Sequence, residues 1–118
     1  MYKEVNTEIP IYKGQLVIVL CDNSDEFKER YSDFSHNEIF AHSFGREFKG
    51  EEGYFALLNP NSKYAKITQG VVAHEALHIV NILFEQRGVF YQLDNDEHAC
   101  YMLQWIVDEI NNHLNKEK

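Results

Sequence analysis

Proline and cysteine are scarce in this chain, with two of each among 118 residues, and glycine occurs six times. This composition excludes collagen-like chains and flexible linkers. The longest uninterrupted apolar run, residues 16–21, is far shorter than the roughly 18 residues of a membrane-spanning helix. The first residues show neither the basic region nor the apolar stretch of a signal peptide, so we expect a cytoplasmic protein without a membrane partner.

The two cysteines, Cys21 and Cys100, are too few for a disulfide framework and do not form a CxxC pair. Both stand in apolar surroundings. The sequence therefore predicts two buried free thiols.

Basic residues are few and scattered, since 11 Lys and Arg stand against 19 Asp and Glu, for a net charge of −8. Nucleic-acid backbones attract clusters of basic side chains, so we do not expect nucleic-acid binding. The acidity leaves an unrelated function open, that of an inhibitor whose carboxylates imitate nucleic acid. The oligomeric state is not indicated.

Apolar residues are nonetheless plentiful, at 44% of the chain, which is enough for the core of a single domain over residues 1–118. The patterns predict strands over residues 15–21, 38–48 (with a bulge at Gly45) and 54–58, and helices over residues 25–34, 69–86 and 95–114. The helix over 69–86 is apolar nearly all round, which predicts burial in the core. The expected fold is α+β, a small, mainly antiparallel sheet packed on this helix and on a second, C-terminal helix.

The predicted buried helix contains an HExxH sequence, His74-Glu75-Ala76-Leu77-His78. Residues four apart share one face of a helix, so His74 and His78 can bind a single tetrahedral zinc ion, Zn²⁺. Glu75 lies about 100° round the helix from His74. From there it can take a proton from a zinc-bound water and pass it to a leaving amine. The alternative is a pair of core histidines bonded to backbone groups.

Catalytic zinc needs a third protein ligand, and Glu97 is the preferred candidate. An extended motif with a third histidine is excluded, because Asn81 and Phe84 occupy its required Gly and His positions. The six residues 89–94 can span up to ~20 Å when extended, enough to return over the ~15 Å of helix from His78 to Gly88. Glu97 can then lie level with the histidines.

Glu97 also has a purely structural interpretation. Asp94-Asn95-Asp96-Glu97 has the form of a capping box, with Asp94 as the N-cap and Glu97 reaching back from the third helical position. Asp94, Asp96 and His98 remain as lesser candidates for the third ligand.

HExxH followed at this distance by a glutamate in the next helix resembles the gluzincin group of zinc metallopeptidases. The stretch over residues 67–109 carries the resemblance, and the element order resembles small zincin-like domains of phage and bacterial genomes. The resemblance implies zinc ligands at His74, His78 and Glu97 and a general base at Glu75. It also implies that the strand over residues 54–58 is a sheet edge that pairs with an extended peptide substrate.

The resemblance has gaps. Larger gluzincins have a second domain that closes the cleft, and this chain has no residues for one. They often carry an aspartate four residues after the third ligand, where this chain has Tyr101. They also supply a Tyr or His that stabilises the oxyanion, for which the candidates here are His98, Tyr101, Tyr64 and Tyr91.

The leading hypothesis is a minimal metallopeptidase that hydrolyses peptide bonds with zinc. The alternatives are a catalytically inactive, zinc-binding module that recognises a partner protein, and the acidic inhibitor named above.

Overall fold

The computed structural model describes residues 1–31 and 40–116 of the chain. Its strands are β1 (Tyr2–Glu8), β2 (Gln15–Cys21), β3 (Ala41–Phe48) and β4 (Glu51–Leu58), and its helices are α1 (Ser24–Arg30), α2 (Gln69–Arg87) and α3 (Glu97–Asn115). The expected α+β class is confirmed.

The strands form one sheet in the order β1-β2-β4-β3. β1 runs antiparallel to β2, and β3 runs antiparallel to β4, whereas the central strands β2 and β4 are parallel. The expectation that the strand ending at Leu58 forms the sheet edge is therefore wrong. β2 and β3 both pair with β4, and β3 is the edge strand that lies beside it.

Apolar clusters cover both faces of the sheet. On one face, α2 and α3 pack over alternate residues of the central strands: Leu16, Ile18, Leu20, Tyr54, Ala56 and Leu58. On the other face, Phe27 of α1 packs with the intervening residues Val17, Val19, Cys21, Phe55 and Leu57. Because both of its faces are covered, β2 has a continuous apolar sequence and not an alternating one.

Strand β1 was not predicted, because most of its side chains are polar and exposed. Its backbone nevertheless pairs with β2 along its whole length, from Tyr2 opposite Cys21 to Glu8 opposite Gln15. The pairing covers an edge of β2 that would otherwise leave backbone N–H and C=O groups unpaired next to the core.

Several predicted boundaries differ from the structure. Helix α1 ends at Arg30 rather than at residue 34, and residues 32–34 and 38–39 lie outside the described part of the chain. Strand β4 begins at Glu51 rather than at residue 54, because Lys49 and Gly50 alone make the turn before it, with φ angles of 50° and 85°.

Gly45 and Cys100 also differ from expectation. Gly45 forms no bulge but pairs in regular register with Tyr54. Its hydrogen side chain instead lets α2 approach β3, since a Cβ atom there would lie 3.3 Å from Cγ2 of Ile82. Cys21 is buried as predicted, whereas Cys100 is exposed because it lies on the solvent side of α3.

Polar contacts hold both ends of α2. Near its start, the side-chain amides of Gln69 and Asn111 exchange two hydrogen bonds, of 3.0 and 2.9 Å. At its end, Arg87 forms a salt bridge with Glu52 of β4. The hydrogen bond from Arg87 also lowers the pKa of the Glu52 carboxyl group. The direction of α2 across the sheet is thus fixed at both termini.

Within the described ranges, no helix combines the length and the apolar character needed to cross a lipid bilayer.

Two glycine-to-alanine substitutions test this packing. At Gly53 of β4 an added Cβ would lie 2.7 Å from the backbone oxygen of Arg46 and 2.8 Å from Cβ of Phe48. We expect Gly53→Ala to lower the free energy of unfolding by about 1–3 kcal/mol, as overpacking does. Gly70→Ala is the matched control, since its Cβ would meet only Oγ1 of Thr68 at 3.6 Å. In urea denaturation it should leave stability unchanged or slightly higher. Equal effects of the two changes would contradict this packing.

Candidate metal centre

Helix α2 carries the HExxH motif between two well-defined ends. The side chain of its N-cap, Thr68, accepts a hydrogen bond of 3.2 Å from the N–H of Val71. The helix stops at Gly88, which has the left-handed φ of 66° that favours glycine at this position. The motif therefore lies in the first half of a continuous helix.

Only one side of α2 is buried, so the prediction of a helix buried all round is wrong. The sheet and α3 cover part of its circumference, and water reaches the rest. The buried side carries Val72, Glu75, Ala76, Ile79, Val80, Leu83 and Phe84. The exposed side carries Ala73, His74, Leu77, His78, Asn81 and Glu85. The two histidines are thus not core residues, so the alternative of a core pair bonded to backbone groups is wrong.

The imidazoles of His74 and His78 nevertheless converge. Their Nε2 atoms lie 3.2 Å apart, and their ring centroids lie 4.8 Å apart. The two Nε2 atoms are close enough for one ring to donate a hydrogen bond to the other, in a direction that depends on the tautomers. Both rings lie on the solvent-exposed side of the helix.

This separation suits a shared zinc ion. Two nitrogens bound to a tetrahedral zinc at ~2.0–2.1 Å lie about 3.3 Å from each other. The observed 3.2 Å is close to that value. The spacing of the two nitrogens is therefore compatible with a shared zinc ion.

Glu75 lies beside the pair but faces the sheet. It is 7% exposed, and its Oε1 atom accepts a hydrogen bond of 2.7 Å from the hydroxyl of Ser43 on β3. Its other oxygen, Oε2, lies 4.0 Å from Nε2 of His74. One carboxylate oxygen is thus held by the sheet, and the other faces the histidines.

A cavity of about 350 Å³ lies next to this group. It is lined by Phe40, Thr68, Gly70, Val71, His74 and Glu75. The buried carboxylate of Glu75 therefore borders space that a small ligand or a side chain can enter.

A larger cavity, of about 630 Å³, lies at the carboxyl ends of β2 and β4. Its described lining includes Phe40 but no histidine, so the smaller cavity is the one that adjoins the HExxH motif.

The structure does not bring Glu97 to the histidines. Over residues 1–31 and 40–116, no three His, Cys, Asp or Glu side chains are placed to hold a metal ion together. Glu97 is exposed and begins α3. Its role as the third ligand, which the resemblance implies, stays a prediction.

The register of the two helices explains this position. α3 runs antiparallel to α2, with Asn111 bonded to Gln69 and His98 stacked on Phe84 at a centroid distance of 5.5 Å. Glu97 therefore lies near Phe84, six residues beyond His78 in the sequence. Six helical residues correspond to ~9 Å along the axis. The predicted level alignment of Glu97 with the histidines is not what the structure shows.

The predicted capping box is also absent from α3. The helix begins at Glu97 instead of residue 95, its N-cap is Asp96, and that residue makes no side-chain capping bond. Asp94 lies in a turn closed by mutual backbone hydrogen bonds between Gln92 and Asn95. The capping interpretation of Glu97 is therefore wrong, and Asp94 and Asp96 are exposed residues of the connection between the helices.

The candidates for oxyanion stabilisation differ in their contacts. The hydroxyl of Tyr91 donates a hydrogen bond of 2.7 Å to Oδ1 of Asn81, which lies one helical turn beyond His78. His98 is engaged elsewhere, with its Nε2 2.7 Å from the backbone oxygen of Phe90. Tyr64 and Tyr101 are 70% and 67% exposed. Tyr91 is thus tied to the same face of α2 as the histidines.

Sequence reasoning missed Ser43. The alternation of side chains along β3 places Ala41 and Ser43 on one side of the strand. The contact of Ser43 with the buried carboxylate of Glu75 could be predicted only if the packing of α2 against β3 were already known.

In comparisons with known proteins, the chain matched no protein-family model, no curated protein and no solved structure. The resemblance to gluzincins therefore rests on the residues named above.

The histidine pair predicts that the purified protein holds about one zinc ion per chain. We expect His74→Ala and His78→Ala each to weaken zinc affinity by more than the ~10–100-fold that loss of an outer-shell partner costs. His113→Ala is the control, because that ring contacts the backbone oxygen of Lys3 in another part of the molecule. Competition with a chromophoric chelator measures all three. Equal affinities in all variants would exclude this site.

Glu97→Gln tests the third ligand. Because Glu97 is exposed at the start of α3, the substitution should leave the free energy of unfolding in excess chelator unchanged. Zinc affinity should fall at least ~10-fold, since an amide oxygen lacks the charge of a carboxylate. Asp94→Asn and Asp96→Asn serve as parallel variants. A loss in one of these and none in Glu97→Gln would transfer the role to that aspartate.

Proposed function

We propose that the protein is a zinc-dependent peptidase with its centre at the HExxH motif of α2. The observation that carries the proposal is the convergence of His74 and His78, whose Nε2 atoms are 3.2 Å apart, beside the carboxylate of Glu75. A cavity that borders Glu75 and His74 gives a substrate access to this group.

In this proposal the histidines and the glutamate of the motif have different roles. His74 and His78 would hold the zinc, with Glu97 as the third ligand once it moves towards them, and the metal would supply Lewis-acid activation of water. Oε2 of Glu75 faces the histidines and takes the proton that the attacking water loses. The same carboxyl group then delivers a proton to the leaving amine. Because Glu75 is 7% exposed, bulk water competes little for its carboxylate.

The substrate in this proposal is an extended peptide that pairs with β3. This strand is one of the two edges of the described sheet, it lies against α2, and Ser43 links it to Glu75. A peptide added to an exposed edge makes main-chain hydrogen bonds along its length and leaves side chains for pockets. A side chain of such a peptide would enter the cavity beside Phe40 and Val71.

A second candidate function is an inactive zinc-binding module that recognises a partner protein. The observation that favours it is the connection between α2 and α3, where Phe90 is 82% and Leu93 fully exposed to solvent. Large apolar side chains in such exposed positions are typical of protein contacts. The two candidates share the metal and differ in whether Glu75 carries out catalysis.

We also propose a cytoplasmic location. Its support is that both cysteines are free thiols, the state maintained in reducing compartments.

Glu75→Gln separates the two candidates. For a peptidase, the variant should keep zinc affinity within about threefold and lose essentially all hydrolysis, because an amide cannot accept the proton. Glu85→Gln, on the exposed side of the same helix, is the matched control and should keep full activity. The assay is cleavage of β-casein by zinc-loaded protein, followed by mass spectrometry. Zinc binding with no cleavage by the parent would favour the inactive module, and equal cleavage by parent and Glu75→Gln would remove Glu75 from catalysis.

A further inference from the structure

Ser43 links the edge strand to the HExxH motif. Its Oγ atom lies 2.7 Å from Oε1 of Glu75 and 3.1 Å from the backbone oxygen of the same residue. A hydroxyl group has a single hydrogen to donate, and a charged carboxylate is a stronger acceptor than a peptide oxygen. The shorter contact to Oε1 is therefore the principal hydrogen bond.

Close packing of α2 on β3 makes this bond feasible for a residue as short as serine. Ser43 is flanked on the same side of the strand by Ala41 and Gly45, which have little or no side chain. An added Cβ at Gly45 would lie 3.3 Å from Ile82 and 3.5 Å from Nε2 of Gln86, both on α2. A larger residue at position 45 would therefore move the helix away from β3 and separate Ser43 from Glu75.

The hydrogen bond from Ser43 orients the carboxylate of Glu75. With Oε1 held towards the sheet, the carboxylate plane is fixed and Oε2 faces His74, 4.0 Å from its Nε2. In a nearly buried carboxylate, the loss of its donor leaves an oxygen unsatisfied and the side chain free to turn. Ser43 thus determines which oxygen is presented on the side of the histidine pair.

We propose that Ser43 is a positioning residue for the general base Glu75, an inference that rests on the proposed function. Ser43 does not touch the metal or the substrate in this role. It acts through Glu75 by fixing the orientation of the carboxylate. A purely structural role would affect folding and zinc affinity, whereas a positioning role affects what the oriented carboxylate can bind.

The test uses acetohydroxamate as the probe of zinc-loaded protein. A hydroxamate chelates zinc through two oxygens and donates a hydrogen bond to a carboxylate correctly placed beside the metal. We expect Ser43→Ala to weaken acetohydroxamate binding about 10-fold, the scale of outer-shell losses, while zinc affinity stays within about threefold of the parent. Ser43→Thr, which keeps the hydroxyl group, should bind the probe nearly as tightly as the parent.

A double-mutant cycle shows whether Ser43 acts through Glu75. In a Glu75→Gln background, Ser43→Ala should cause no further loss of acetohydroxamate affinity. Additive losses, or parent-like affinity in Ser43→Ala, would overturn the positioning role. An equal fall in zinc affinity and probe affinity would show a structural role instead. If Ser43→Ala fails to fold, Ser43→Thr and Ser43→Val give the same comparison, since they match in shape and differ in the hydroxyl group.

Failure of the proposed function gives a different result. A parent protein that binds no zinc invalidates the metal centre, and with it the role of Ser43. A protein that binds zinc and acetohydroxamate, gives the expected double-mutant cycle and does not cleave casein would contradict the peptidase activity alone. The role of Ser43 in positioning Glu75 would then still stand.

Discussion

The burial of one side of α2 against the sheet is the constraint on which the rest of the molecule depends. Val72, Ile79, Val80 and Leu83 are all fully buried there. Each contributes about 1.5–3 kcal/mol, so together they outweigh the polar contacts at the helix ends, each worth about 1 kcal/mol. Burial therefore sets the rotation of the helix about its axis. That rotation turns Glu75 towards β3 and leaves His74 and His78 in solvent.

The contacts that depend only on local helix geometry were predictable from the sequence. The contacts that depend on how the helices and strands pack together were not. His74 and His78 converge because they are four residues apart on a helix, whatever surrounds it. The bounds of β2 and α2 also follow closely from their apolar patterns. In contrast, the contact of Ser43 with Glu75 requires the edge strand to lie under the helix, and no pattern in either segment encodes that placement.

The errors have physical causes of the same kind. The apolar residues Ala73 and Leu77 suggest a helix buried all round, but within residues 1–31 and 40–116 α2 packs on one sheet and one helix, and both residues lie on its exposed side. Strand β1 was missed because most of its side chains are polar and face solvent, and it joins the sheet chiefly through its backbone pairing with β2. The parallel pairing of β2 with β4 places β4 inside the sheet instead of at its edge. The hydrophobic pattern of a strand does not indicate its position in the strand order.

Energies indicate which part of α3 would have to move for Glu97 to serve as the third ligand of the proposed zinc site. The first turn of α3 is held by the stack of His98 on Phe84 and by the contact of His98 with the backbone oxygen of Phe90. These are worth about 0.5–1.5 kcal/mol each, a small cost for a local rearrangement. Sliding the whole of α3 would also break the burial of Met102, Ile106 and Ile110, at about 1.5–3 kcal/mol for each. Metal binding is therefore expected to rearrange the connection over residues 88–96 and the first turn of α3, while the buried part of that helix stays in place.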